Sequence, residues 1–278
     1  MKNLLLISNV SAKNEQLVEY AAKFCKHYGC KLHILHFSEH SAPILVSSSK
    51  YYKDFNIKHD NEQLKKLSQK ITKITTGILE RSFIQIKIEK GNEDKILKSF
   101  IHENFIDLIL IGNSDLNKQA DIPNHKNVLI NIINTPLIVI PAYHIFKPLA
   151  KFNFLTTHTK NDFENIKKLN HLYTHPNLVL THLLSKDLTE IEKIKVNKWI
   201  AFLKEKYADR IEYETLRISL KDYIQNQNFA SSDKYGALVF STNKRNFWSR
   251  IFDPSTTLRF LCMVEIPSII FKIDEPIT

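Results

Sequence analysis

The stretch Leu108 to Asn127 reads LILIGNSDLNKQADIPNHKN. A short apolar run stops at Gly112, and a strand that ends in glycine can bring bare backbone N–H groups against a phosphate. No second glycine follows in the segment, and Pro123 lacks the N–H that a phosphate would use. A second group, Lys244-Arg245-Asn246-Phe247-Trp248-Ser249-Arg250, is basic and aromatic, which suits an anion or a stacked base. The plainer reading is a surface turn whose Phe247 and Trp248 pack on neighbouring structure.

Histidines crowd the second half at His158, His171, His175 and His182, and imidazole is a common zinc ligand. No cysteine or carboxylate stands at ligand spacing, so no metal site is expected. His33 and His36 lie three apart on an expected strand and therefore point to opposite faces. Covalent catalysis finds no G-x-S-x-G elbow and no cysteine beside a histidine. Ser8, Ser11 and Ser114 suit turns and caps, and no catalytic residue is assigned.

The elements that must position these groups follow from periodicity. NLLLISN (3–9) reads as a buried strand, and 14–28 carries Leu17, Ala21, Phe24, Cys25 and Tyr28 at helix spacing, with Gly29 as its stop. KLHILHF (31–37) is a strand. A helix through about 60–82 follows, then the alternating IQIKIEK (84–90), a helix over 93–103 and LILIG (108–112). Residues 128–133 suggest a helix, and PLIVIPA (136–142) closes the unit. The second half repeats the order with KFNFLTTH (151–158), a helix at 162–173, NLVLTHLL (177–184), a helix at 188–207 and IEYETLRI (211–218). A helix at 220–228, ALVFST (237–242), a loop with a helix, and PSIIFKI (267–273) complete it. Such duplication points to two units, 1–143 and 144–278.

Strands too apolar for a solvated face, separated by helices, indicate parallel sheets covered on both sides. The expected fold class is α/β: two tandem doubly wound, Rossmann-like domains, each with a five-stranded, mainly parallel sheet. Their crevices should lie beyond the carboxyl ends of the first and fourth strands. The 278 residues, 43% of them hydrophobic, suffice for both cores. No apolar run approaches the roughly 20 residues of a membrane span. The start has no apolar leader, so a cytoplasmic location is expected. Cys25, Cys30 and Cys262 form no framework and read as reduced thiols. The net charge of +10 divides evenly, five in excess on each side of residue 143. Without a basic arm, neither nucleic acid nor membrane is expected as a partner.

The opening NLLLISNVSAKNEQLVEYAAKFCKHYGCKLHILHF and the ending NTPLIVIPA resemble the universal stress protein family in its tandem form, over nearly the whole chain. The resemblance implies an Asp after strand one for adenine, and a glycine-rich loop after strand four, closing in Gly-Ser or Gly-Thr, for ribose and phosphates. At these positions the first half has Asn9, then Gly112, Asp115 and Pro123-Asn124. The second has His158, then Ser241, Lys244 and Pro254-Ser255. Asp115 would repel phosphate, whereas Lys244, Arg245 and Arg250 would attract it and Ser255 retains a hydroxyl.

The resemblance thus implies a non-catalytic binding or signalling module for the stress response with degraded ATP-binding loops and no cofactor. The candidate crevice positions are Asn9, Gly112, Asn124, His158, Ser241, Lys244 and Ser255. The alternative is binding of ATP or another adenine nucleotide with slow hydrolysis in the second unit. The last strands, 136–142 and 267–273, are apolar edges opening on proline, so they are expected to pair the units into an intramolecular pseudo-dimer. A homo-oligomer or a separate protein partner remains open at this point.

Overall fold

The structure, a computed structural model, describes residues 1–7, 15–37, 50–89, 92–113, 134–149, 151–156, 158, 160–173, 176–184, 187–207, 210–218, 222–223, 236–242 and 265–272. The first half contains β1 (Asn3–Ile7), α1 (Glu15–Tyr28), β2 (Lys31–Phe37), α2 (Lys50–Thr75), β3 (Ile84–Glu89), α3 (Glu93–Glu103), β4 (Leu108–Gly112) and β5 (Leu137–Ile140). The second contains β6 (Lys151–Leu155), α4 (Lys160–Leu172), β7 (Asn177–Leu183), α5 (Glu190–Tyr207), β8 (Ile211–Leu216), β9 (Ala237–Thr242) and β10 (Ser268–Lys272). The helices expected at 128–133, at 220–228 beyond Tyr223, and after β9 lie outside the described residues.

All ten strands join one sheet in the order β3-β2-β1-β4-β5-β10-β9-β6-β7-β8. Every pairing is parallel except β5 with β10, where Val139 faces Ser268 and Leu137 faces Ile270. The proline-led strands are therefore the centre of the sheet, not its edges. The two halves repeat hydrogen bonds there: Ile109 donates to the Pro136 carbonyl and Leu238 to that of Pro267, each at 2.9 Å. The edges are β3 and β8, whose Lys87, Glu89, Glu212 and Glu214 discourage further pairing.

Right-handed crossovers explain where the helices lie. Steps from β1 to β2 to β3 run one way along the sheet, and the return to β4 reverses direction. Accordingly Phe24 of α1 and Ile71 of α2 share one face with Leu4, Leu6 and Ile34, and Ile166 and Leu169 of α4 and Leu203 of α5 continue the same cluster with Phe152, Phe154 and Leu180 of the second half. Leu97 and Phe100 of α3 cover Leu5, Leu35 and Ile109 on the other face. Alternation along each strand divides Leu4 and Leu6 from Leu5 and Ile7 in this way.

Helix ends show how local chemistry sets these boundaries. Gly29 is left-handed (φ 65°) and lets the Cys30 N–H donate to the Cys25 carbonyl at 3.1 Å, a Schellman stop. The buried Cys25 and Cys30, free thiols, are the apolar contact that accompanies that motif. The helix expected at 60–82 instead spans 50–75, a correction at both ends. The Thr75 and Thr76 hydroxyls donate back to the Ile71 and Thr72 carbonyls, and left-handed Gly77 turns the chain out. Strand 151–158 is likewise shorter than expected, ending at Leu155.

α3 closes with the same Schellman bonds, Ile106 to Ile101 and Phe105 to His102, but its left-handed residue is Phe105 (φ 47°), 79% exposed. A Cβ in that region costs about 1–2 kcal/mol. Phe105→Gly should therefore stabilise the protein by about 0.5–1 kcal/mol after the extra chain entropy of glycine is subtracted. A urea midpoint that rises at unchanged slope checks this.

Candidate functional site

The direction of the chain reverses between β6 and β9, as it does between β1 and β4, so each half has its topological switch point, the expected crevice position, at those carboxyl ends. In the first half β4 ends on buried Gly112, and the next residue, Asn113, accepts from the Ala142 N–H through Oδ1 at 2.8 Å. This bond ties the end of β4 to the end of β5. Asn9, Asn124, Lys244 and Ser255 lie outside the described residues, as do Asp115, Pro123, Arg245, Trp248, Arg250 and Pro254.

In the second half the structure brings Ser241 and the segment leading to His158 to one crevice, as the β6–β9 pairing requires. Four polar residues close its floor. Asp162, in the first turn of α4 and 1% exposed, accepts from the Thr156 hydroxyl at 2.9 Å and from the Ser241 hydroxyl at 3.4 Å. Asn165 donates through Nδ2 to Ser241 Oγ at 2.8 Å, and the His158 N–H donates to Thr156 Oγ1 at 3.0 Å. A carboxylate is favourable at a helix N-terminus, where unsatisfied N–H groups carry partial positive charge. It takes the place in which that end would otherwise attract a phosphate. Both hydroxyls direct their protons at Asp162, so toward the crevice they offer lone pairs.

Sequence reasoning placed Ser241 and His158 here but missed Thr156, Asp162 and Asn165. A signal existed: Asp162 and Asn165 are three apart, hence on one face of α4, one in its first turn and one in its second.

His158 sits just past β6 with φ 59°, a conformation that a side chain rarely adopts. Its imidazole turns away from the Asp162 network into the seam between the sheet and α5. The ring centroid is 4.2 Å from that of His182 on β7, 5.0 Å from Trp199 on α5 and 5.6 Å from Tyr213 on β8. His182 Nδ1 and the Tyr213 hydroxyl are 3.3 Å apart. Burial, with the neighbouring His182 adding to it, pushes the His158 pKa down to about 3, so the ring is neutral at pH 7. Burial lowers His182 as well, against the pull of Glu192.

Of the crowded histidines the structure thus joins His158 and His182. His171 lies near the end of α4, its carbonyl accepting from the N-terminal amine at 3.4 Å, and His175 is outside the described residues. Among the described residues no three metal-ligating side chains come together. No described helix is long and apolar enough to cross a membrane.

At the level of sequence, no family model and no curated protein matches the chain. By structure, 98% of it is similar to 97% of a universal stress protein from Archaeoglobus fulgidus DSM 4304, at 12% identity and a TM-score of 0.62. A functionally unknown protein from Pseudomonas aeruginosa PAO1 is similar over 99% of this chain and 94% of its own, at 11% identity and a TM-score of 0.58. The cytoplasmic domain of a prokaryotic cation chloride cotransporter is similar over 97% and 94%, at 9% identity and a TM-score of 0.53. Identities this low carry the fold and leave function to the site; the fold of this chain is that of the universal stress proteins, with two doubly wound units joined in one sheet.

Proposed function

We propose that the chain is a cytoplasmic, two-unit stress-response protein that works as a non-catalytic binding or signalling module. Its units are 1–143 and 144–278, an intramolecular pseudo-dimer held through β5 and β10, and its ATP-binding loops are degraded. What ligand capacity it has lies mainly in the second unit. The observation that carries this reading is the buried Asp162 at the start of α4, already holding the Thr156 and Ser241 hydroxyls. A nucleotide phosphate approaching Ser241 meets a carboxylate and two hydroxyls turned inward, at a helix end whose dipole is already matched.

Calorimetric titration with ATP, ADP and AMP tests it. The expected result is no saturable binding at about 1 mM, corresponding to less than about 4 kcal/mol of binding free energy. Tighter binding overturns the reading. ATP turnover that disappears in Ser255→Ala and Lys244→Ala would establish the alternative, a slow nucleotide hydrolase using the second unit.

A further inference from the structure

α5 is held to the sheet by a thin contact. Of its 18 residues only Val196, Leu203 and Tyr207 are buried, one narrow stripe, while Ile191, Ile194 and Phe202 are 68%, 53% and 49% exposed. Elements with so few buried contacts open at low free-energy cost. Midway along α5, half-buried Trp199 stands edge-on to the His158 ring, and His158 stands edge-on to His182 (interplanar angles 87° and 79°). His158 Nε2 is buried with no hydrogen-bond partner among the described residues. At the start of α5, Glu192 accepts from the Thr189 N–H and hydroxyl, both at 2.8 Å, and its own N–H donates to Thr189 Oγ1 at 3.3 Å, a capping box.

We propose that His158 and His182 form an acid-sensitive latch that seats α5 on the second half of the sheet. With both rings neutral, their edge-to-face contact makes the platform for Trp199. Protonation puts like charges on half-buried rings 4.2 Å apart, and α5 lifts. The titratable groups facing the pair are Tyr213 from β8 and Glu192 from α5. Burial raises the Tyr213 pKa, so it supplies no charge in the range concerned. Glu192 attracts a proton to His182, which offsets part of the effect of burial, so His158 is the stronger of the two acid-sensitive groups.

The sign follows from proton uptake. Both histidines are held below the ordinary value of about 6.5, to which water returns them when the seam opens. The closed state is therefore fully favoured above about pH 6.5 and loses ground as pH falls. The open-to-closed ratio rises by up to about tenfold per pH unit for each histidine kept neutral in the closed state. The latch requires no ligand, so it stands or falls separately from the function proposed above.

The test uses the full chain with Trp248→Phe, which leaves Trp199 as the remaining one of two tryptophans. Its emission is followed from pH 7.5 to 4, beside far-UV circular dichroism and hydrogen exchange over 190–207. The expected result is a red shift of Trp199 emission and faster exchange in α5 below pH 6.5, while most of the circular dichroism persists. His182→Gln and His158→Gln, each checked for native dichroism at pH 7.5, should move or abolish the transition. Emission unchanged down to pH 4 overturns the latch. So does loss of all structure in the same step, or an unaltered transition in whichever histidine variant folds.

Discussion

Phe24→Ala should destabilise the protein by about 4 kcal/mol, and the loss should be felt by both halves. Phe24 is fully buried on α1, where its ring lies 4.6 Å from Tyr28, 6.1 Å from Phe146, 6.2 Å from Tyr173 and 6.5 Å from Tyr20. Tyr173 follows α4 and Phe146 belongs to the connection between the halves, so the ring is shared property of two units. Beside it the Tyr28 hydroxyl accepts from the Leu149 N–H at 2.9 Å and lies 3.4 Å from the Leu149 carbonyl, pinning the connection. Buried aromatics contribute both area and edge-to-face contacts, and removing one leaves a cavity that a rigid sheet cannot collapse to fill. Urea unfolding followed by circular dichroism measures the effect. The midpoint should fall with one transition retained if the halves unfold together; a loss under about 1.5 kcal/mol would show that the seam repacks.

Asn153→Ala should cost about 3 kcal/mol, for a different reason. Asn153 is fully buried in β6, with Nδ2 2.6 Å from the Tyr223 hydroxyl and Oδ1 2.7 Å from Thr181 Oγ1. Thr181 Oγ1 is also 2.7 Å from Glu214 Oε1, so its single proton serves one acceptor at a time and the groups act as a network. Removing the amide takes a partner from two hydroxyls inside the sheet, where water does not replace it. Asn153→Leu combined with Thr181→Val and Tyr223→Phe should recover most of the loss, because apolar groups of similar shape leave no buried amide or hydroxyl unsatisfied and the half-buried Glu214 reaches water. Thermal unfolding of the single and triple variants separates this from a simple packing loss, which the triple variant would not repair.

The sheet was readable because strands buried on both faces leave unbroken apolar runs. KLHILHF, LILIG and ALVFST match β2, β4 and β9 residue for residue. The pairing of β5 with β10 was readable from two apolar strands in matching places, each led by proline. The start of α2 was not, because KYYKDFNIKHD offers no apolar stripe from which to read it. Its end was missed because Thr75, Thr76 and Gly77 act through backbone bonds that periodicity does not register. The crevice divides in the same way. Counting along the chain finds Ser241 and the segment leading to His158 at one end of the sheet, since strand order alone brings them there. The Asp162 floor and the His158–His182 contact depend on where the chain turns after β6, and a left-handed histidine leaves no mark in composition.

The antiparallel seam between β5 and β10 has a further consequence for anything that binds this molecule. Because β1 to β5 run opposite to β6 to β10, the two crevices open toward opposite rims of a single slab. A ligand held at the carboxyl ends of one strand set is therefore separated from the other set's carboxyl ends by the length of the strands between them.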